Sequence, residues 1–197
     1  MTAALRRTPP ALDAELAAAA ATGDAEAFGE LYTRYADRVF ARITHLIGPG
    51  SDREDVLQQV FLELHRALPR FRGDAAISTF LYRITINVAC DHLRRRKRRA
   101  GDHDPAALDA LIDGDPTPED RARRRQQLAQ VFALLEQIKP AKRVAFVLVA
   151  VEGLSLAEAA ELIGASPDAV KQRVLHARRE LVALLAASER RTAGRLS

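Results

Sequence analysis

From Arg94 to Arg99 the chain reads Arg-Arg-Arg-Lys-Arg-Arg, a block of fixed positive charge suited to a polyanionic partner. Phe71, Phe80 and Tyr82 come before it, with Asn87 and Asp91 one helical turn apart between the rings and the cations. Rings beside guanidinium groups suit single-stranded DNA, because bases stack on the rings while the cations hold phosphates. The plainer reading makes Phe80 part of an apolar stripe and the basic run a solvated helix end. Residue types alone leave both readings open.

A second constellation lies near the C-terminus. Residues 156–163 spell a short helix, Gly164-Ala165-Ser166 a tight turn, and Pro167 opens another helix, the pattern of a helix-turn-helix. Gly164 suits the left-handed end of the first helix, Ser166 can cap the second, and Pro167 fits its first turn. Ala159 and Ala160 are small enough to let the two helices approach. Val170, Val174, Ala177 and Leu181 share one face of the second helix. Asp168, Gln172, Leu175, His176 and Arg179 therefore point outward, flanked by Lys171, Arg173 and Arg178. Gln can pair with adenine, Arg or Lys with guanine or phosphate, and an exposed Leu can touch a thymine methyl. A helical hairpin with a solvated charged face would have the same spacing.

Nothing in the sequence points to catalysis by the chain itself. Cys90, Asp91 and His92 are consecutive, so on a helix they point in different directions and cannot form a nucleophile, base and orienter. His45, His65, His92, His103 and His176 lack metal-ligand spacing, and no Gly-rich phosphate loop is present. Neither a metal nor an organic cofactor is expected.

The elements that must position these residues are helical. Phe28, Leu31, Tyr35, Val39 and Ile43 form one stripe, and Val56, Val60, Phe61, Leu64 and Leu68 a second. A third runs from Phe80 and Leu81 through Ile84 and Val88 to Leu93, and a fourth through Leu128, Val131, Leu135 and Ile138. Ser51 followed by Glu54 is a capping-box pattern that places a helix near residues 52–67. Residues 101–120 carry Asp102, Asp104, Asp109, Asp113, Asp115, Glu119 and Asp120 with three prolines and no Lys or Arg, which reads as a flexible acidic linker. The expected fold is all-α: helical domains at 12–98 and 122–187, a linker at 99–121, and disordered ends at 1–11 and 188–197.

Bulk composition agrees with this division. The 197 residues suffice for two small cores, which must be aliphatic because aromatics make up 5% and Trp is absent. The net charge of +4 conceals the strong separation of basic and acidic blocks. One Cys cannot form an internal disulfide, and no apolar run approaches the roughly 18 to 20 residues of a membrane span. A cytoplasmic location is the default expectation.

Together the two halves resemble a known family. Residues 24–32, 52–61 (Asp-Arg-Glu-Asp-Val-Leu-Gln-Gln-Val-Phe) and 80–96 (Phe-Leu-Tyr-Arg-Ile-Thr-Ile-Asn and onward to Arg96) look like region 2 of a bacterial RNA polymerase sigma factor. Glu152-Gly153-Leu154-Ser155-Leu156-Ala157-Glu158-Ala159-Ala160, then Val170-Lys171-Gln172-Arg173 and Ala177-Arg178, look like region 4. Their order and the linker resemble the small extracytoplasmic-function group. The resemblance implies a promoter-specificity subunit that binds core RNA polymerase, recognises minus-ten and minus-thirty-five elements, and assists melting. It implies that Asp55, Gln58 and Gln59 contact polymerase. It also implies that Phe71, Phe80, Tyr82, Arg83, Asn87, Arg94, Arg95, Arg96, Lys97 and Arg98 meet the melted minus-ten strand, with the loop from Phe71 to Ser78 as a pocket wall. Ser166, Asp168, Lys171, Gln172, Arg173, Leu175, His176, Arg178 and Arg179 would meet the minus-thirty-five duplex, and an anti-sigma factor would hide both DNA faces. Departures include Phe80 where the family commonly has Trp, and Gln59 where it commonly has an acid. A polymerase-independent helix-turn-helix regulator, or a helical module that clamps a protein partner, are the competing expectations.

Overall fold

The computed structural model describes residues 10–50, 52–96 and 117–193. Every element among them is helical. The expected disordered N-terminus up to residue 9, most of the acidic linker, and Lys97 and Arg98 lie outside the described residues.

The first half contains α1 (Pro10–Ala21), α2 (Ala25–Ile47), α3 (Arg53–Ala67), a 3-10 turn (Leu68–Arg70) and α4 (Ile77–Arg96). Asp24 starts α2 by accepting from the backbone N–H groups of Glu26 and Ala27 at 2.9 and 3.0 Å. The first stripe then faces inward: Leu31, Tyr35, Val39 and Ile43 are all buried. The second does the same on α3 with Val56, Val60, Phe61 and Leu64, and α2, α3 and α4 pack mutually around these side chains. Asp13 of α1 accepts from Arg34 at 2.7 Å and from the Tyr35 hydroxyl at 2.5 Å, which pins α1 to α2. Burial and this acid together push the Tyr35 hydroxyl well above its ordinary range.

The second half contains α5 (Pro118–Gln137), α6 (Pro140–Phe146), a π-turn (Val147–Val151), α7 (Leu156–Ile163) and α8 (Pro167–Ala193). Its core joins Phe132, Leu135, Ile138 and Ala177. Helix α5 begins inside the stretch read as linker, because Thr117 accepts from the Asp120 N–H and Pro118 takes the first helical position. Helix α8 likewise continues to Ala193, through a stretch read as a disordered tail, where Glu and Arg are good helix formers.

One local expectation needs correction, and another lies outside the described residues. The start of α3 is capped from Asp52 without a side-chain hydrogen bond, while Ser51 lies outside the described residues. A capping box is present at Ser155 and Glu158, where each side chain accepts from the other's backbone N–H, at 3.2 and 2.8 Å. On α5, Val131 is 48% exposed and Phe132 takes its place in the core, since the larger ring buries more apolar area from the same edge of the stripe.

The halves meet at the C-terminus of α2. Arg143 of α6 is buried and donates from Nε to the Leu46 carbonyl at 2.8 Å. Arg96 of α4 donates to the Ile47 carbonyl at 3.2 Å and pairs with Glu136 of α5 at 2.6 Å. Burial draws the Arg143 guanidinium down to about 10, so it stays charged at neutral pH. Val144, Ala145, Val147 and Leu148 belong to the same continuous buried cluster as Leu46 and Ile47.

Gly48 turns the chain at this junction with φ 84° and ψ 178°, a conformation largely confined to glycine. A Cβ there would lie 2.8 Å from the Phe132 ring and 3.3 Å from the Arg143 guanidinium. Gly29, in the second turn of α2, has open space around its would-be Cβ. Gly48→Ala should therefore destabilise the protein by about 1–3 kcal/mol, whereas Gly29→Ala should stabilise it by about 0.4–1 kcal/mol. Urea denaturation of the two variants would show the opposite signs.

Candidate nucleic-acid interface

The turn between α7 and α8 is built as its residue types require. Gly164 adopts φ 62° and ψ 46° and its N–H returns to the Ala160 carbonyl, ending α7. Ser166 Oγ then accepts from the Ala169 N–H at 3.2 Å, capping α8. Ala159 and Ala160 are buried at the crossing with Val170, Val174 and Ala177. The opposite face is open: Ser166, Asp168, Lys171, Gln172, Leu175, His176, Arg178 and Arg179 are exposed. Arg173 is half-buried and leans towards Cys90 of α4. A fixed turn thus presents a row of donors, acceptors and one apolar side chain, the chemistry needed to read a major groove.

On α4 the candidate strand-binding residues divide. Asn87, Arg94 and Arg95 are exposed, and Arg94 pairs with Asp91 at 2.8 Å. Arg96 turns inward to the α2 terminus and Glu136, so it is a structural clamp in this arrangement. Phe71 and Phe80 pack against each other with ring centroids 4.9 Å apart. Phe71, the loop residues 73–76 and the first turn of α4 line a cavity of about 690 Å³, completed by Tyr35, Arg38, Arg42 and Tyr82. Tyr82 is buried, with the Arg42 guanidinium 3.6 Å over its ring and its hydroxyl donating to Glu152. Desolvation first, and Glu152 second, push the Tyr82 hydroxyl far above its ordinary range, so it remains a neutral donor. Arg83 pairs with Glu161 at 2.8 Å.

A third face lies on α3. Asp55 and Gln58 are exposed, while Gln59 is half-buried and donates to Glu63 at 2.8 Å. The sequence reading missed Leu62, which is 52% exposed on the same side, four residues after Gln58. A large apolar residue on the polar face of an amphipathic helix was the available signal. Tyr32 of α2, also exposed, extends this patch through its ring contact with Phe61, centroids 4.6 Å apart.

The consecutive Cys90, Asp91 and His92 separate as helical geometry demands. Burial pushes the Cys90 thiol up, Asp91 faces Arg94, and His92 sits 2.7 Å from Asp52. Among the described residues no group of three or more His, Cys, Asp and Glu side chains is placed to hold a metal. No described helix is long and apolar enough to cross a membrane.

Comparison with known proteins fits this geometry. Residues 31–99 match the model of sigma-70 region 2, and residues 128–181 match that of sigma-70 region 4. The RNA polymerase sigma-H factor of Pseudomonas aeruginosa is 35% identical over 173 residues, which cover 84% of this chain and 90% of that protein. The ECF RNA polymerase sigma factor SigM of Mycobacterium tuberculosis is 37% identical over 174 residues, covering 88% and 84% respectively. Among solved structures, CnrH in complex with the cytosolic domain of CnrY has a TM-score of 0.58 at 32% identity, covering 89% of this chain and 98% of that one. Two matched regions in order, each with its expected helices, make this chain a member of the extracytoplasmic-function group of the sigma-70 family of bacterial RNA polymerase sigma factors.

Proposed function

We propose that this chain is a non-catalytic promoter-specificity subunit of RNA polymerase, working in the cytoplasm. The observation that carries the reading is the open face of α8, whose opposite face is buried against α7 and α6. In this reading Gln172 reads a base edge of the minus-thirty-five duplex, Leu175 touches a thymine methyl, and Lys171, Arg173, Arg178 and Arg179 hold phosphates or guanine. Ser166, Asp168 and His176 contribute polar contacts at the start and middle of the same helix.

The α4 face takes the melted minus-ten strand. Asn87 is the candidate for base contact, and Arg83, Arg94 and Arg95 grip phosphates. Lys97 and Arg98 continue that basic run, and Arg96 would join it only by leaving the α2 terminus. The cavity behind Phe71 and Tyr82 is large enough for a flipped base, whose unstacking cost of a few kcal/mol is offset by polar and ring contacts inside. Phe71 and Phe80 form the ring-lined side of that loop.

The α3 face of Asp55, Gln58 and Gln59, extended by Leu62, docks on core polymerase. An anti-sigma factor is the expected regulatory partner, consistent with the solved relative CnrH having been captured with the cytosolic domain of CnrY.

Run-off transcription from a genomic fragment library with added core polymerase tests this function. Selective initiation should fall at least about tenfold in Asp55→Ala/Gln58→Ala, a loss of roughly 1.4 kcal/mol or more in polymerase binding, while duplex binding stays unchanged. On promoters so identified, Gln172→Ala should cost about 1–3 kcal/mol and relax preference at one minus-thirty-five position. Lys171→Gln/Arg178→Gln should instead weaken binding evenly and lower the salt slope by about 2. Equal initiation by wild type and the α3 variant would overturn the polymerase-docking assignment.

A further inference from the structure

Helix α1 precedes the stretch that matches sigma-70 region 2, which begins at residue 31, yet it supplies part of the wall of the 690 Å³ cavity through Asp13 and Ala14. Its small side chains allow this. Ala17 and Ala20 are buried where α1 lies along α2, and Asp13 precedes them at helical spacing, so the acid stands on the packed face. The Asp13 side chain is 14% exposed. One carboxylate oxygen accepts from Arg34 at 2.7 Å and the other from the Tyr35 hydroxyl at 2.5 Å. A carboxylate has about four lone-pair sites, so each oxygen keeps one acceptor position beside the cavity. Burial, and then Asp13 itself, hold the Tyr35 hydroxyl protonated, and its proton is committed to the acid. The corner formed by Asp13 and Tyr35 therefore accepts hydrogen bonds, while Arg38, Arg42, Ser78 and Thr79 place donors on the other walls.

We infer that Asp13 is a specificity-determining residue: its carboxylate, delivered by α1, selects a flipped base that bears an exocyclic amino group, cytosine, adenine or guanine, over thymine. This rests on the proposal above that the cavity takes a flipped minus-ten base. A flipped base is read by hydrogen bonds to its Watson–Crick edge, and an acid is the side chain that accepts from an amino group there. Thymine carries carbonyl oxygens on both flanks of its single N3–H. A carbonyl set against the carboxylate is repelled and leaves acceptors on both sides without a donor. Arg34, which is not part of the cavity wall, fixes the acid from behind, so its orientation is set before any base arrives.

The test uses holoenzyme made with the full chain and a promoter from the run-off screen, rebuilt as a forked duplex with a single-stranded non-template minus-ten segment. At each position of that segment the base is removed, exchanged for thymine, or stripped of its amino group: purine for adenine, hypoxanthine for guanine, pyrimidin-2-one for cytosine. The expected result is a position where all three changes weaken wild-type binding about tenfold. In Asp13→Asn, whose amide donates as well as accepts, the cost of thymine and of the amino-free base at that position should fall to about twofold, with the other positions unchanged. Arg34→Gln removes the clamp but leaves the carboxylate, and should keep the wild-type preference. Loss of the same preference in Arg34→Gln would overturn the inference by reducing Asp13 to an anchor for α1, and an undiminished preference in Asp13→Asn would overturn it directly. Should Asp13→Asn fail to fold, the wild-type arm decides: sensitivity to base removal with indifference to the amino group at every position overturns the role of Asp13 and leaves the cavity reading standing. Indifference to base removal at every position overturns the cavity reading itself.

Discussion

The end of α2 is the constraint around which the two halves are arranged. The last turn of a helix leaves carbonyl oxygens without intrahelical partners, and burying such a terminus requires donors from elsewhere. Here the donors are Arg143 and Arg96, contributed by helices on either side of the linker. Both are cations at the negative end of the helix dipole, which favours their charge where burial opposes it. Gly48 leaves the clearance that lets Phe132 and Arg143 reach the same spot. Placement of α5 and α6 against region 2, and hence of the π-turn and Glu152 against Tyr82, follows from that junction.

The parts legible in the sequence were those set by local chemistry. Gly164, Ser166 and Pro167 specified a turn between two helices whatever surrounded them, and the spacing of Val170, Val174 and Ala177 specified which face of α8 would be buried. Stripes on α2 and α3 were legible for the same reason, because period and burial coincide. Val131 and Phe132 show the limit: neighbouring residues at the edge of one stripe compete, and only the shape of the facing core decides between them.

Contacts between distant residues were not legible. Tyr82 and Glu152 are 70 positions apart, and Arg96 and Glu136 are 40 apart. As a member of a basic run, Arg96 looked like a phosphate ligand, since nothing in Arg94 to Arg99 distinguishes the residue that turns inward. Leu62 was overlooked for a different reason: pattern reading searches for apolar residues that agree with a stripe, and an exposed one on the polar face registers as noise until a surface is seen around it.

The separate anchoring of the two helices proposed to face DNA has an evolutionary consequence. Most of the outward side chains of α8 stand on a helix whose other face carries the packing, so under the proposed reading exchanging one alters base preference with stability changes of a few tenths of a kcal/mol, as for ordinary surface positions. New target sequences are therefore within reach of single substitutions in this half. On α4, Tyr82, Arg83 and Arg96 each also bind a partner from across the linker, so a change there perturbs two relationships at once. Descendants of such a chain would diversify first through α8, while α4 would drift only alongside compensating changes at Glu152, Glu161 or Glu136.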